Sequence, residues 1–263
     1  MKALTVCPTY ARIPFLNRMV AGFLSQTYDD KELVIINDDK NVELVCEQHG
    51  VVCINLNKKI LVPQKKNLAI GVGYHDVFLT CDDDDVYLPN HIELHVKKHL
   101  ENPEIGLYRN DAAYTIYGDQ FFIKHSPPNT ISCTRKEWFL NNGYAHDQNI
   151  AEDQEFYNKI TNKLVERDEL NISYVYNWGG VNYHLSYEAD ESIEEKAFKQ
   201  LQQLNLVGKK YYIEPDFEQY ENFKTLDRIH KQKNENLLVK HTELAKIDIS
   251  HLTDVQINQP HPL

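Results

Sequence analysis

Over the first hundred residues, short runs of Val, Ile, Leu and Phe alternate with segments whose apolar positions recur at helical spacing. That alternation predicts βα units, and so an α/β fold with a mostly parallel central sheet flanked by helices. Residues 3–7 read as a strand that stops at Pro8. Phe15, Leu16, Met19, Val20, Phe23 and Leu24 then mark one face of a helix over 13–25. Further strands are expected at 33–36, 51–54 and 77–81, and helices at 42–48, 63–70 and 89–100.

Polar residues gather where these strands end. Thr9, Tyr10 and Arg12 follow the first, Asn37, Asp38 and Asp39 the second, and Asp82, Asp83, Asp84 and Asp85 the last. Ligands of open α/β sheets bind outside the carboxyl ends of the strands, so these residues are expected to line one crevice. From 105 to 124 the aromatic and β-branched content rises, which predicts strands of another orientation. Helices follow at 138–141 and 152–164, with short strands at 172–176 and 181–184. Beyond Tyr187 the chain turns charged and mostly helical. The expected organisation is a domain of residues 1–189, made of a ligand-binding half (1–100) and a second half (101–189), with a helical C-terminal extension over 190–263.

The chain has 263 residues, 42% hydrophobic and 25% charged, which is ordinary for a folded globular protein. A net charge of -11 works against a surface that grips nucleic acid. The five cysteines form no CxxC pair and several sit in apolar runs, so reduced, buried thiols are expected. The N-terminus turns polar before a signal-peptide core can form, and no apolar run is long enough to span a bilayer. A cytoplasmic location is therefore expected, with peripheral membrane contact through the C-terminal segment still open.

Four consecutive carboxylates at a strand end repel one another unless a cation sits among them. Hard oxygen ligands suit Mg2+ or Mn2+, ions that bind through one or two carboxylates plus the phosphates of a substrate. The plainer reading is a solvated acidic loop, but the position of the run, between an apolar strand and the Val86 to Pro89 lead into a helix, favours the metal.

In its ordered motifs the chain resembles the inverting GT-A glycosyltransferases of family 2. Thr5-Val6-Cys7-Pro8-Thr9-Tyr10-Ala11-Arg12 resembles that family's opening strand and loop, and Ser25-Gln26-Thr27-Tyr28, Glu32 to Ile36 and Asn37-Asp38-Asp39 its next stretch. Lys66-Asn67-Leu68-Ala69 resembles its Arg-Asn pair, Leu79 to Pro89 its DxD element, and Gly143 to Phe156 its Gly-Glu-Asp segment; His184 and Ser186 fall in its later histidine region. The resemblance covers roughly residues 1–187 and implies a nucleoside diphosphate sugar as donor, UDP-linked for preference, with 1–100 as the nucleotide-sugar half and 101–189 as the acceptor half.

The same resemblance implies roles. Pro8, Thr9, Tyr10 and Arg12, with Asp38 or Asp39, hold base and ribose; Lys66 and Asn67 meet the diphosphate; Asp82, with Asp83 as its register alternative, contacts the ribose. Asp84, with Asp85 as its register alternative, Asp82 and His184 ligate the metal, the histidine favouring Mn2+. Asp153, or Glu152 one residue earlier, acts as the base that takes the proton of the acceptor hydroxyl. Lys65 and Lys66 read equally well as solvated helix residues. Trp178-Gly179-Gly180, Asp111, Tyr114, Tyr117, Trp138 and His146 are further candidates for the acceptor pocket. A glycan, a lipid-linked saccharide, a protein side chain and a modified nucleobase all suit as acceptor, and the C-terminal region has three roles open to it: acceptor binding, homo-oligomer formation or rest on a membrane. Two other classes compete. A nucleotidyltransferase would need a Gly-rich phosphate loop that is missing here, and a noncatalytic sugar-nucleotide-binding module would not need Asp153.

Overall fold

A computed structural model describes residues 1–117, 120–125, 131–144, 152–177 and 193–235. In chain order the elements are β1 (Ala3–Thr9), α1 (Ile13–Leu24), β2 (Lys31–Asn37), β3 (Val42–Val45), β4 (Val51–Asn55), α2 (Val62–Gly71), β5 (Val77–Thr80), β6 (Val86–Tyr87) and α3 (His91–Glu101). They continue with β7 (Leu107–Asn110), β8 (Ala112–Tyr117), β9 (Gln120–His125), β10 (Ile131–Thr134), α4 (Arg135–Leu140), α5 (Glu152–Lys159), β11 (Lys163–Glu166), β12 (Tyr174–Asn177), α6 (Ile193–Gln203), β13 (Lys209–Tyr212) and α7 (Phe217–Glu235).

The central sheet has seven strands in the order β11-β7-β10-β5-β1-β2-β4. Within it only β10 runs antiparallel to its neighbours, β5 and β7. Strand order turns back between β1 and β5: the chain moves outward through β2 and β4 before β5 returns to the other side of β1. Such a switch point opens a crevice at the carboxyl ends. Both faces of the sheet are covered, and β1 alternates between them. Ala3 and Cys7 pack with Leu16, Met19, Val20 and Phe23 of α1, whereas Leu4 and Val6 pack with Ala69 and Ile70 of α2 and Phe156 of α5.

A second, four-stranded sheet, β6-β12-β8-β9, stands beside the first. Its apolar face joins Val86, Tyr114 and Ile116 to Tyr220 and Phe223 of α7. Tyr220 also donates to the Tyr87 carbonyl at 2.8 Å, and its ring packs closely on Gly22, where a Cβ would stand 3.0 Å from it.

Three expectations need correction. The first strand runs through Pro8 to Thr9. Its pairing with β5 ends at Val6, so beyond that point only β2 flanks it, and a missing N–H is tolerated where one side of a strand is unpaired. Residues 42–45 form a strand, not a helix, because they pair in parallel with β13; that contact is reinforced where Asn17 donates to the Tyr211 hydroxyl at 2.8 Å, across 194 positions of sequence. The helix expected over 152–164 ends at Lys159, and Lys163 to Glu166 pair with β7 instead. The expected 181–184 strand and the boundary near Asp190 lie outside the described residues. C-terminal to them, the extension is not wholly helical: it holds β13, and its Leu201 and Ile213 pack into the same core as α1. No described helix is long and apolar enough to cross a membrane.

Candidate active site

The β1–α1 connection and the acidic turn after β5 meet at the switch point. Ala11 takes a left-handed φ of 51°, a conformation that costs an L-residue about 1 kcal/mol. The kink between Tyr10 and Arg12 is held because Arg12 is fastened to the acidic turn. Its guanidinium pairs with both oxygens of Asp83, through Nε at 3.0 Å and through Nη2, and Nη1 reaches Asp84 at 2.9 Å. Thr9 Oγ1 adds a 2.6 Å hydrogen bond to Asp83. Burial works against the Arg12 charge, yet Asp83 and Asp84 outweigh it and keep its pKa above the ordinary value.

The four aspartates therefore have distinct tasks. Asp83 is buried and turned inward to Thr9 and Arg12; burial pushes its pKa up while Arg12 opposes the rise. Asp85 is also buried and accepts from the Tyr174 hydroxyl at 2.5 Å and the Asn177 amide at 3.0 Å. Burial, then the charges of Asp84 and Asp82, push its pKa well above the carboxylate range. Asp82, Asp84 and Asp85 each present an oxygen within 4.8 Å of the others. This all-oxygen triad fits a hard divalent cation such as Mn2+ or Mg2+. The structure thus groups Asp82 and Asp84 with Asp85, gives Asp83 to Arg12, and leaves His184 outside the described residues.

On the β2 side, Asp38 and Asp39 are buried. Asp38 pairs with Lys65 and accepts from the Ile60 amide at 2.8 Å. Asp39 Oδ1 accepts from Asn41 through the amide at 2.8 Å and the side chain at 2.7 Å. Its Oδ2 is buried without a hydrogen-bond partner among the described residues, so it fits an N–H or O–H supplied by a ligand. The ammonium groups of Lys59 and Lys65 lie 5.5 and 5.8 Å from the centre of the Tyr10 ring. Burial, with help from Asp39, Glu194 and Asp38, raises the Tyr10 pKa to about 12.

The other wall comes from α2. Lys65 and Lys66 are not solvated: both are buried. Lys65 reaches the Thr9 carbonyl at 2.8 Å. Lys66, 0% exposed, pairs at 2.6 Å with Asp153, which is 20% exposed, and is close enough to the Cys81 thiol, at the head of the acidic turn, to act on it electrostatically. Asn67 holds the chain that leads toward Asp153. Its Oδ1 accepts from the Tyr144 amide and the Trp138 indole, each at 3.0 Å, and its Nδ2 donates to the Tyr144 carbonyl at 3.0 Å. Gly143 makes this clasp at φ 68°, where a Cβ would fall 2.5 Å from Asn67 Oδ1. Glu152 opens α5, one residue before Asp153.

Among the remaining candidates, Pro8 stands inside β1. Asp111 pairs with Arg109 at 2.9 Å, Tyr114 is core and stacks on Phe121, Tyr117 is exposed, and Trp138 serves the Asn67 clasp. His146, Trp178, Gly179 and Gly180 lie outside the described residues. Sequence reasoning did not single out Tyr174, Asn177 or Arg18, read Lys65 only as a solvated helix residue, and held Asp85 only as a register alternative within the acidic run. A signal for the lysines existed: Ala69 and Ile70 follow Lys65 and Lys66 by four positions each, which puts both on the buried face of α2.

A mostly parallel sheet with one antiparallel strand and a carboxylate-rich turn after a central strand is the architecture of GT-A-type glycosyltransferases. The chain belongs to glycosyl transferase family 2, whose model matches residues 5–168. It is similar to the uncharacterized glycosyltransferase YwdF of Bacillus subtilis (strain 168), 31% identical over 102 residues that make up 37% of this chain and 38% of that protein. It is also similar to the uncharacterized glycosyltransferase RP339 of Rickettsia prowazekii (strain Madrid E), 23% identical over 137 residues, 45% of this chain and 42% of that one. The matches thus span about two fifths of those relatives' lengths. Among solved structures, S. aureus TarS 1-349 in complex with UDP-GlcNAc has a TM-score of 0.56 at 12% identity, covering 92% of this chain and 77% of that one. The mannosyltransferase PcManGT from Pyrobaculum calidifontis, in complex with GDP-Man and Mn2+, has a TM-score of 0.51 at 12% identity, covering 78% and 62%.

Proposed function

We propose that the protein transfers a sugar from a nucleoside diphosphate sugar, UDP-linked for preference, to an acceptor hydroxyl with inversion at the anomeric carbon, acting in the cytoplasm. The observation that carries this reading is the carboxylate triad of Asp82, Asp84 and Asp85 at the switch point, facing a β1–α1 loop that Arg12 and Thr9 lock onto the same turn. The solved relatives bound to UDP-GlcNAc and to GDP-Man with Mn2+ support a nucleotide-sugar donor and a metal.

Asp38, Asp39 and Tyr10 take the base of the donor, and Asp82 the ribose. Mn2+ or Mg2+ held by Asp82, Asp84 and Asp85 would neutralise the diphosphate as it leaves. Asp153 removes the proton of the acceptor hydroxyl while that oxygen attacks the anomeric carbon and the bond to the diphosphate breaks. One carboxylate suffices, since the leaving group departs as an anion and needs no protein acid. Lys66 holds Asp153 in place from the buried side.

Asp153→Asn is expected to abolish transfer, read as nucleoside diphosphate release, and to leave donor affinity measured by calorimetry unchanged. Full residual transfer would sink the assignment of the base. Failure of every nucleotide sugar to raise the melting temperature in the presence of Mn2+ would sink the donor reading, because a bound donor must stabilise the native state by mass action.

A further inference from the structure

Arg18 is the largest polar side chain in the interior that the proposed reaction does not use. It projects from α1, is 1% exposed, and makes one hydrogen bond, from Nη2 to the main-chain carbonyl of Asp84 at 2.5 Å. Its Nε and Nη1 are buried with no hydrogen-bond partner among the described residues. Two aromatic rings hold the guanidinium instead: Phe15 of α1, with its centroid at 5.4 Å, and Phe223 of α7, at 5.2 Å. A guanidinium so stripped of water is costly to bury unless fixed charges or π-faces compensate it. The neighbouring charges are those of Asp84, Asp85 and Asp83, opposed by that of Arg12. Burial brings the pKa of Arg18 down to about 10, which leaves it a cation at neutral pH.

The position matters more than the charge. Arg12 grips the side chains of Asp83 and Asp84 from the crevice side, whereas Arg18 grips the Asp84 backbone from α1. Asn177 Nδ2 donates to the same carbonyl at 3.3 Å. The carbonyl of Asp84 is therefore held by a residue whose guanidinium lies over a ring more than two hundred positions further along the chain.

We infer that Arg18, clamped between Phe15 and Phe223, is a positioning residue that sets the divalent-metal affinity of the acidic turn, and that docking of α7 is thereby part of the metal site. This rests on the metal reading given above. It makes the C-terminal segment a control point: whatever displaces Phe223 loosens the Asp84 carbonyl and weakens metal binding with no contact to the crevice.

The test uses the full chain with Mn2+ as probe, titrated with and without UDP and followed by the electron paramagnetic resonance signal of unbound Mn2+, alongside urea unfolding. Arg18→Met is expected to weaken Mn2+ binding about tenfold or more, the usual range for residues that orient metal ligands. Phe223→Leu keeps the cation and is expected to act in the same direction, and Phe223→Tyr, which keeps the ring, to retain the wild-type affinity. Tighter binding in Arg18→Met, the sign a simple like-charge neighbour would give, overturns the inference. So does loss of unfolding free energy with unmoved Mn2+ affinity, which marks a purely structural role. Should Arg18→Met fail to fold, the two Phe223 variants decide alone. A wild-type chain that binds no Mn2+ even with UDP removes the metal reading and this inference together; wild-type binding with unmoved variants removes this inference only.

Discussion

The Lys66–Asp153 pair joins a fully buried ammonium to a carboxylate that keeps one side toward solvent. A buried ammonium is stabilised by the carboxylate it pairs with, and the pairing in turn restrains the carboxylate. A base that must meet an acceptor hydroxyl at hydrogen-bond distance gains from such restraint. Lys66→Met is expected to lower kcat about tenfold or more while UDP affinity, measured by calorimetry, stays within about twofold, since an interaction used only in the transition state moves kcat and not binding. A rise in donor dissociation constant with kcat intact would instead place Lys66 on the diphosphate. Lys66→Arg is not expected to rescue, because the planar fork does not fit a site shaped for an ammonium beside the Tyr144 ring.

At the scale of elements, α3 carries His91, His95 and His99 on one buried stripe. His91 meets Ser173 at 2.9 Å; His95 and His99 both meet Ser132, at 2.8 and 3.0 Å. Burial takes the pKa of His91 to about 3 and of His99 to about 4, and pulls that of His95 well below the imidazole range. In the unfolded chain these groups titrate near pH 6.5. Below that pH the unfolded chain takes up protons that the folded chain refuses, so stability is full above about pH 6.5 and declines as the pH falls toward 4, by up to about 1.4 kcal/mol per pH unit for each histidine. Urea midpoints between pH 7 and pH 5 check this, and His95→Gln is expected to flatten the slope relative to wild type.

Elements with a local signature were legible from the chain: α1 by its apolar period, and β2, β4 and β5 as apolar runs. Those defined by a distant partner were not. Val42 to Val45 looks like the start of a helix until β13 lies beside it, and β11 reads as a helix end until β7 does. The acidic turn was legible as a metal candidate, but its inner division of labour was not. Which of four adjacent carboxylates turns inward depends on where Arg12 and Tyr174 stand, and these approach from the β1–α1 connection and from β12.

Across the whole molecule, the described C-terminal segment shares its core with the sheet: Leu201 and Ile213 pack under α1, and Tyr220 and Phe223 under the second sheet. Tyr220→Phe leaves the Tyr87 carbonyl without that donor and is expected to lower unfolding free energy by about 1 to 2 kcal/mol in urea titrations; an unchanged midpoint would show that α7 adds little to the body. The bond between Asn17 and Tyr211 also has a consequence in time. A ribosome adding about 5 to 20 residues per second needs roughly ten to forty seconds to make the intervening chain. For that interval the nascent protein holds α1 and β3 without their final cover, so a chaperone that shields this flank during synthesis would act before the acidic turn has acquired its rear support.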